Sequence, residues 1–332
     1  MTARALLADI GGTNARFALA RLDARQALRL DSVQQLPVAD FPSLAEAAAH
    51  YLAGTGLRGG DVAAAVFAVA GRVDGDHACI TNSPWVIEGA ATRAALRLPR
   101  LRLVNDFAAQ AMGTQLLGAG DVVAIGDAGP LLAPGTTRTQ AVIGPGTGLG
   151  VSTLIVREGR AVALETEGGH VCFAPRDARE VALLGRLVAR FGRVSNERLV
   201  SGSGLVNLHD ALADLRGSPS TLARPEEVTA GARAGDALCG AALASFCAVF
   251  GAIAGDLVLT MGAWDGVFLT GGLVPRLLPE LQASAFRARF EAKGRFAPAM
   301  ARVPTYAVVH PHPGLLGAAA FAFEDAACVL AA

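Results

Sequence analysis

The sequence predicts an α/β protein in which helices pack in layers on β-sheets, and three observations carry that prediction. Of the 332 residues, 52% are hydrophobic, only 5% are aromatic and 39 are glycine, which is more typical of layered α/β packing than of an aromatic-rich β-sandwich. Short apolar runs alternate with alanine-rich segments of helical spacing. A strand, a glycine turn and a second strand occur together near residue 11 and again near residue 146, so the two halves resemble diverged copies of one unit.

The first half of the chain begins with this unit. An apolar run ends at Asp9, and the glycines after it predict a β-hairpin. Two helices are predicted farther on, the first with Ser43 as its N-cap. Asn105 and Asp106 lie where a strand ends and a helix begins, the position at which open α/β sheets commonly present functional side chains. The predicted strands are 5–9, 16–19, 62–69 and 101–104, and the predicted helices are 43–52 and 107–117.

A segment rich in glycine, proline and threonine, residues 118–138, separates the two halves, and its start is the predicted boundary of a first domain. Beyond it, the loop 144–150 joins two predicted strands, and most of the remaining chain is predicted to be helical. The predicted strands of this half are 139–143, 151–156, 267–270 and 307–310, and the predicted helices are 177–191, 204–215, 236–261 and 315–323.

The charged residues exclude several classes of protein. With 29 basic and 29 acidic residues the formal net charge is zero, so we expect no nucleic-acid partner, which would require a basic surface. Lys293 is the only lysine. Because a P-loop requires Gly-Lys-Ser/Thr and a protein kinase requires a strand lysine, both classes are excluded.

The cysteines and the apolar segments bear on the cellular compartment. The five cysteines are scattered without Cys-x-x-Cys spacing, which excludes zinc-ribbon and thioredoxin-like sites and is typical of a reducing compartment. No apolar segment of signal-peptide length precedes Asp9, so we expect a cytoplasmic protein. The uncharged stretch 237–255 approaches the length of a membrane span, but it is rich in alanine and glycine and lacks a basic flank. We therefore expect a buried or interface helix and no membrane partner.

The turn after the first strand is a candidate phosphate-binding site. Gly11 and Gly12 allow backbone amides to approach an oxyanion closely, and Thr13 adds a hydroxyl donor. Asp9 is placed to hold Mg²⁺, directly or through water. An ordinary hairpin turn is the alternative interpretation.

The loop 144–150 is a second glycine turn. Its glycine spacing is similar to a dinucleotide-binding fingerprint, with Glu165 about twenty residues later. That fingerprint opens a helix, whereas residues 151–156 are β-branched and typical of a strand. A second phosphate clamp is therefore the better prediction.

Asp106 is the candidate general base for a substrate hydroxyl. The alternative is a helix N-cap, the more common role for an isolated Asn-Asp pair, and a helix N-terminus is expected to lower the pKa of Asp106. Phosphoryl transfer has a loose transition state, so a positioned carboxylate suffices even if it is not a strong base.

Two further segments carry candidate ligands for hydroxyl groups. In Glu167-Gly-Gly-His170 the glycines bring the backbone close to a ligand, and the flanking acid and imidazole can bind two neighbouring hydroxyls. Glu197 lies in a second polar and glycine-rich segment, residues 195–204. A carboxylate at the start of a helix is the alternative interpretation for Glu197.

The last two motifs follow predicted strands. Gly271 and Gly272 are placed to cover an adenosine. His310 and His312 have the appearance of a metal pair, but Pro311 between them forces an extended chain and no third ligand is near in sequence. We therefore expect no metal at the histidines.

Taken together and in this order, these segments resemble the bacterial glucokinase family, the hexokinase-type branch of the sugar kinase, actin and heat-shock ATPase superfamily. Each segment is weak alone, but eight in order along nearly the whole chain are specific. The chain lacks the cysteine-rich zinc motif of the ROK sugar kinases, and residues 81–85 resemble a family segment near the sugar. The eight segments are 7–18, 105–107, 144–151, 167–171, 197–207, 268–276, 290–296 and 313–317.

The resemblance implies a fold, an activity and partners. The fold is the two-domain actin-like, ribonuclease H-like ATPase fold, in which a mixed β-sheet is duplicated and the active site lies in the cleft between the domains. A smaller domain would comprise residues 1–117 plus 311–332, and a larger one residues 118–310. The activity is phosphorylation of D-glucose at O6 by ATP with Mg²⁺, the first step of glycolysis, in a cytoplasmic homodimer.

The resemblance also assigns roles to individual residues. Asp106 takes the proton of the 6-hydroxyl group and contacts the sugar. The other residues that hydrogen-bond the sugar are Asn105, Glu167, His170 and Glu197. The residues that hold the Mg-ATP phosphates are Asp9, Gly11, Gly12, Thr13, Gly146, Thr147 and Gly148, and those beside the adenosine are Gly271 and Gly272.

Three alternatives remain open at this point. The nearest is a kinase for another hexose, such as mannose, fructose or an N-acetylated amino sugar, because the sequence does not define the pocket around C2. A sugar-sensing regulator on the same fold would need a DNA-binding segment, for which we find no basic region. In an actin-like filament or a chaperone ATPase, the residues that match the family's sugar ligands, Asn105, Glu167, His170 and Glu197, would have no ligand to bind.

Overall fold

The structure is a computed structural model that describes residues 4–23, 27–80, 85–127, 129–218 and 221–324. Its strands fall in three sheets. In chain order the strands are β1 (Arg4–Ile10), β2 (Asn14–Leu22), β3 (Leu28–Pro37), β4 (Ala64–Val69), β5 (Val73–Asp74), β6 (His77–Cys79), β7 (Val86–Glu88), β8 (Leu101–Asn105), β9 (Val122–Ala124), β10 (Arg138–Pro145), β11 (Leu149–Arg157), β12 (Arg160–Thr166), β13 (Val267–Leu269) and β14 (Thr305–Val308).

The α-helices lie mainly in the second half of the chain. Those predicted from Ser43 and Asp177 begin as expected, because each of these side chains accepts a hydrogen bond from a backbone N–H in the first turn. In chain order the helices are α1 (Leu44–Gly54), α2 (Gly89–Leu96), α3 (Asp106–Gly113), α4 (Ala178–Phe191), α5 (Gly202–Leu215), α6 (Pro225–Arg233), α7 (Ala237–Met261), α8 (Leu278–Ala283), α9 (Phe286–Glu291), α10 (Ala297–Met300) and α11 (Pro313–Ala322).

The two main sheets repeat one topology. The first has the strand order β3-β2-β1-β4-β8, and the second has the order β12-β11-β10-β13-β14 with β9 added at its edge. In both, an antiparallel meander of three strands continues into two parallel strands. The predicted duplication and the α/β class are therefore confirmed. The remaining sheet is the small antiparallel sheet β5-β6-β7.

The helices form layers on both faces of each main sheet. In β1, Leu6 and Ala8 pack in the core under α1, whereas Leu7 points to the opposite face and packs against α11. In the second sheet, Ile143 packs among α5 and α7 and Val142 packs against α3. The layer formed by α3 and α11 thus lies between the two sheets. Since these helices pack on both sheets, the division into residues 1–117 plus 311–332 and residues 118–310 stays a prediction.

The contact between α3 and α11 depends on glycine. A Cβ at Gly317 would lie 1.7 Å from the carbonyl oxygen of Ala109, and one at Gly113 would lie 2.9 Å from the backbone nitrogen of Gly317. Both contacts are with backbone, which cannot move aside as a side-chain tip can. The two helices therefore approach at a distance that only glycine permits.

We expect Gly317→Ala to destabilise the protein by about 1–3 kcal/mol, because overpacking forces the central helices apart. The control is Gly185→Ala in α4, where an added Cβ has nothing within 4 Å. There alanine should stabilise the helix by up to about 1 kcal/mol. Urea unfolding of both variants measures the difference, and equal stabilities would contradict the close packing of α3 on α11.

The sequence did not predict the outer strands β3 and β12. Each lies at an edge of its sheet, and most of its side chains are exposed or partly exposed, so neither has the apolar pattern of a buried strand. The last strand is also shifted: β14 spans Thr305–Val308 rather than 307–310. The helix after Asp106 ends at Gly113 and continues as a 3₁₀ turn over Thr114–Leu116.

Helix α7 is the apolar stretch that approaches the length of a membrane span. By length and composition alone, this helix of 25 residues is apolar enough to cross a membrane. It lies in the core of the second half, with Phe246 and Phe250 completely buried and α5, α6 and α9 packed against it. This placement agrees with the expected buried helix.

Candidate active site

The predicted site residues gather at the carboxyl ends of the parallel strands. Asp9 is the penultimate residue of β1, and Asp106 directly follows β8 in the same sheet. The second sheet meets them there: Glu165 of β12 places Oε1 3.5 Å from the backbone nitrogen of Asn105. A Cβ at Gly150 would lie 1.9 Å from the Phe107 ring, so this glycine allows α3 to lie against β11. The carboxyl edges of the two sheets therefore face one site.

Asn105 fixes the start of α3 and with it the position of Asp106. Its Oδ1 accepts hydrogen bonds from the backbone nitrogens of Phe107 and Ala108, at 2.9 and 3.0 Å. Its Nδ2 donates to the carbonyl oxygen of Gly71 at 3.0 Å. The N-cap is therefore Asn105 and not Asp106. One hydrogen on Nδ2 remains for a ligand, and sugar binding by Asn105 stays a prediction.

The carboxyl group of Asp106 is partly buried beside other acids. Burial raises its pKa to about 7, and the negative charges of Asp9 and Glu167 act in the same direction. The hydrogen bond from the backbone nitrogen of Phe107 opposes the shift. The expectation that the helix N-terminus lowers this pKa is therefore wrong, because burial and like charges outweigh the backbone donors.

Asp9 is held by residues of two other elements, the neighbouring strand β2 and the distant helix α11. In the hairpin register it lies opposite Arg16, and Arg16 Nη1 is 3.5 Å from Asp9 Oδ2. A Cβ at Gly314, in the first turn of α11, would lie 2.6 Å from the carboxyl carbon of Asp9. Burial raises the pKa of Asp9, and the charge of Arg16 opposes that effect. Asp9 is therefore a confined carboxylate that is paired with the Arg16 guanidinium.

The loop 144–150 forms a turn against Gly271. Residues 146–148 connect β10 to β11, with Thr147 exposed at the tip. Gly271 has φ +83°, and its Cβ would lie 2.5 Å from the carbonyl oxygen of Pro145. The strand β11 that follows this turn agrees with the rejection of a dinucleotide fingerprint. Gly146–Gly148 and Gly271 are thus brought together, as a nucleotide site would require.

Glu197 lies behind the same loop. Its Oε2 accepts a hydrogen bond of 2.9 Å from the backbone nitrogen of Leu149, and a Cβ at Gly148 would lie 2.4 Å from that oxygen. The loop is also tied to α5, because the Gly202 nitrogen donates to the Gly146 carbonyl oxygen at 2.9 Å. Glu197 therefore connects the predicted sugar site and the predicted phosphate loop.

The turn Glu167–His170 is packed against the beginning of β11. A Cβ at Gly169 would lie 2.0 Å from the carbonyl oxygen of Leu149, so glycine is required for this approach. Glu167 is close enough for its charge to raise the pKa of Asp106. His170 is exposed, and its carbonyl oxygen accepts a hydrogen bond from Arg193.

The two histidines near α11 are hydrogen-bonded to each other at the start of that helix. His312 is the N-cap residue of α11, and its backbone nitrogen donates to His310 Nδ1 at 3.1 Å. Burial, His310 and Arg16 all lower the pKa of His312. Within the described ranges, no group of three or more histidine, cysteine or acidic side chains is arranged to hold a metal ion.

Some predicted residues have few contacts that define a role. Gly11, Gly12 and Thr13 form the turn directly after β1, where the Gly11 nitrogen donates to the Asn14 carbonyl oxygen at 2.9 Å. Gly272 is exposed, and a Cβ there would have nothing within 4 Å. Of the segment 81–85, residues 81–84 lie outside the described residues.

The sequence reasoning missed Arg16 and Gly314. Arg16 was detectable, because a turn over residues 11–13 sets Asp9 opposite Arg16 in the hairpin. Gly314 lies in the segment 313–317, which resembles the family. Its position beside Asp9, however, follows from the packing of α11 on β1, which no local pattern reveals.

Comparison with known proteins gives consistent results over nearly the whole chain. Residues 6–325 match the family model described as Glucokinase. A glucokinase of Stenotrophomonas maltophilia (strain R551-3) is 57% identical over 320 residues, covering 96% of this chain and 95% of the relative. A glucokinase of Xanthomonas oryzae pv. oryzae (strain MAFF 311018) is 56% identical with the same coverage. The crystal structure of a glucokinase from an Antarctic psychrotroph superposes with a TM-score of 0.85 at 33% identity, covering 97% of this chain and 99% of that one.

Proposed function

The chain belongs to the glucokinase family, whose reaction is the phosphorylation of glucose by ATP, and we propose that Asp106 is the general base of that reaction. The observation that carries this proposal is the position of the Asp106 carboxyl group. It directly follows β8, its helix is fixed by Asn105, and its pKa is raised to about 7. A base titrating near neutral pH is well matched to accept a proton at that pH.

The proposed step is an in-line phosphoryl transfer. The glucose O6 attacks the γ-phosphorus, the bond from this phosphorus to the β,γ-bridging oxygen breaks, and the O6 proton passes to Asp106. Because the transition state is loose, most of the rate enhancement comes from positioning and from stabilising the transferred charge. Asp106 therefore needs to lie within hydrogen-bond reach of O6, and its fixed helix start supplies that.

We assign the sugar hydroxyls to the acids and amide around Asp106. Glu167 and Glu197 present carboxylates from two turns that both contact Leu149, which supports a shared pocket. His170 offers an imidazole, and Asn105 offers the remaining Nδ2 hydrogen. Charged acceptors fit hydroxyl donors, and a hexose lacking a matched hydroxyl would leave one of them unpaired.

The phosphates of ATP would be held by two glycine turns. Gly11, Gly12 and Thr13 follow β1, and the turn Gly146–Gly148, including Thr147, follows β10 at the equivalent place in the repeated topology. Backbone amides and hydroxyls are the donors there, since the only lysine, Lys293, bonds to Asp256 and the Ala252 carbonyl oxygen on α7. Gly271 and Gly272, packed beside the second turn, would adjoin the adenosine.

The residues around Asp9 fit a magnesium ion. Asp9, Asp106 and Glu167 concentrate negative charge, and among the described residues the Arg16 guanidinium is the cation recorded next to Asp9. Mg²⁺ typically takes one or two carboxylates together with substrate phosphates and water, so Asp9 alone suffices, directly or through water. When bound, the ion would neutralise charge on the transferred phosphoryl group.

The cellular setting follows from the same proposal. By producing glucose 6-phosphate, this enzyme would catalyse the first step of glycolysis. It would act in the cytoplasm, where its substrates lie. We also propose that the protein is a homodimer, which analytical ultracentrifugation tests.

The test of the proposed function is release of ADP from Mg-ATP across a panel of hexoses. We expect glucose to be the preferred acceptor over mannose, fructose and N-acetylated amino sugars. A different preferred hexose would support the alternative of a kinase for that sugar, and no release with any hexose would contradict a sugar kinase.

We expect Glu197→Gln to raise the KM for glucose at least about tenfold, because a hydrogen bond to a charged group contributes about 1.5–3 kcal/mol. Glutamine keeps the size of the side chain and one oxygen for the Leu149 nitrogen. The control is Glu226→Gln, since Glu226 is 65% exposed and lies 3.8 Å from Arg276. Steady-state kinetics measure the effect, and an unchanged KM would make Glu197 a structural residue only.

The raised pKa of Asp106 predicts how the rate depends on pH. Only the ionised carboxylate accepts a proton, so kcat/KM for glucose should rise as pH approaches about 7 and level off above it. The measurement uses Mg-ATP far below its KM, so that it reports the free enzyme. Asp106→Asn is the control. In that variant the nucleotide still ionises but residue 106 does not, so the two sources of pH dependence are separated. The same titration in both proteins would contradict the assignment.

A further inference from the structure

A cavity of about 430 Å³ lies beside the first residues of β4 and β8. These parallel strands run from the cavity to the edge that carries Asp106, so the cavity and the active site lie at opposite ends of the first sheet. Arg102 in the cavity wall precedes Asp106 by four residues, which is about 13 Å along a strand. The cavity is therefore a separate site.

The charges that line this cavity are mostly positive. Arg93, Arg100 and Arg102 contribute three guanidinium groups, and Glu324 contributes one carboxylate. Arg102 Nη1 pairs with Glu324 Oε2 at 3.0 Å. Neither Arg93 nor Arg100 forms an ion pair or a side-chain hydrogen bond with any residue in the described ranges. As far as the described residues are concerned, these two guanidinium groups remain available to an anion.

The other wall of the cavity is apolar. Its partly exposed residues are Ala64, Leu101, Phe321 and Ala322. The guanidinium carbon of Arg102 lies 4.4 Å from the centre of the Phe321 ring, which keeps both side chains in place along this wall. A volume of this size is within the usual range of about 300–1,000 Å³ for small-molecule sites, which combine apolar walls with a few polar groups.

We propose that this cavity binds a small organic phosphate. Guanidinium groups match phosphate oxygens in bidentate geometry, so the phosphate lies between Arg93 and Arg100. The carbon skeleton of the ligand lies against Phe321 and Ala322. Sugar phosphates and nucleotides share this chemistry, and inorganic phosphate lacks the part that the apolar wall would contact.

The test is isothermal titration calorimetry on the full chain with glucose, Mg²⁺ and a non-hydrolysable ATP analogue filling the active site. The probes are glucose 6-phosphate, AMP, inorganic phosphate and citrate. We expect one molecule of glucose 6-phosphate or AMP to bind per chain, more tightly than inorganic phosphate or citrate. In the double variant Arg93→Gln/Arg100→Gln this binding should weaken at least about tenfold.

The control removes the same charge elsewhere: Arg179→Gln/Arg186→Gln alters two exposed arginines of α4. Binding of glucose to each variant shows that it is folded, and loss of glucose binding in all proteins would count against the proposed function rather than against this cavity. No binding of any probe to the filled enzyme, or equal weakening in both double variants, would overturn the proposal. Equal affinity for inorganic phosphate would overturn the role of the apolar wall.

Discussion

Replacing Asp106 with asparagine is expected to lower kcat at least about 100-fold while glucose still binds. General-base catalysis typically contributes 10²–10⁴-fold, and asparagine is similar in shape but cannot accept the proton. The structure predicts a second, opposite effect on stability. Since burial and like charges raise the pKa of Asp106 to about 7, this carboxyl group lowers the folding stability progressively as the pH rises from its ordinary pKa of about 4, and the full loss is present above about pH 7. The neutral amide should therefore raise the melting temperature at pH 8.

The two readouts separate a catalytic role from a structural one. Turnover is measured at saturating glucose and Mg-ATP, glucose binding by calorimetry, and melting by circular dichroism. Asp74→Asn is the matched control, because Asp74 is 82% exposed and pairs only loosely with Arg72. Retained turnover in Asp106→Asn would remove Asp106 from the role of base. Lower stability at pH 8 would show that its carboxylate is needed by the fold.

The parts of the fold and site that were predictable are those that local patterns encode. An apolar run followed by Asn-Asp and an alanine-rich segment correctly placed Asp106 between β8 and α3. In each half, an apolar run, a glycine turn and a second apolar run correctly predicted one hairpin. Local signals sufficed because a strand end, a turn and an N-cap each involve residues close together in sequence.

The properties that were not predictable depend on residues far apart in sequence. The pKa of Asp106 was expected to fall at a helix N-terminus, but Asp9 and Glu167 approach it from two other elements and burial dominates. The edge strand β12 carries Glu165 to Asn105 although its own side chains are largely exposed. Such effects follow from tertiary packing, which single-sequence patterns do not contain.

Gly314→Ala is expected to lower kcat/KM for Mg-ATP about 100-fold while leaving glucose binding unchanged. The added Cβ would lie 2.6 Å from the carboxyl carbon of Asp9 and 2.8 and 2.9 Å from its oxygens, so the carboxylate must move. Displacement of a positioned group by about 1 Å can cost on the order of 10²-fold in rate. Loss of helix stability does not explain such an effect, because alanine is the better helix former. Gly185→Ala, which adds the same methyl group to open space on α4, is the control.

A double-mutant cycle shows whether the Gly314 effect acts through Asp9. If the added methyl group acts only by displacing this carboxylate, Gly314→Ala should cost little more once Asp9 has been replaced by asparagine, and the two changes should be clearly non-additive. Additive losses would mean that the methyl group disturbs something else, such as the packing of α11. An unchanged kcat/KM in the single variant would show that Asp9 does not contribute to the use of Mg-ATP.

Arg16→Gln in the same cycle tests the second residue that holds Asp9, because the Arg16 guanidinium is the cation 3.5 Å from that carboxylate. Gly314 and Arg16 both lie outside the glycine turn formed by residues 11–13. The cycle therefore tests whether this turn alone can bind the nucleotide or also needs the Asp9 carboxylate, which α11 and β2 hold beside the turn.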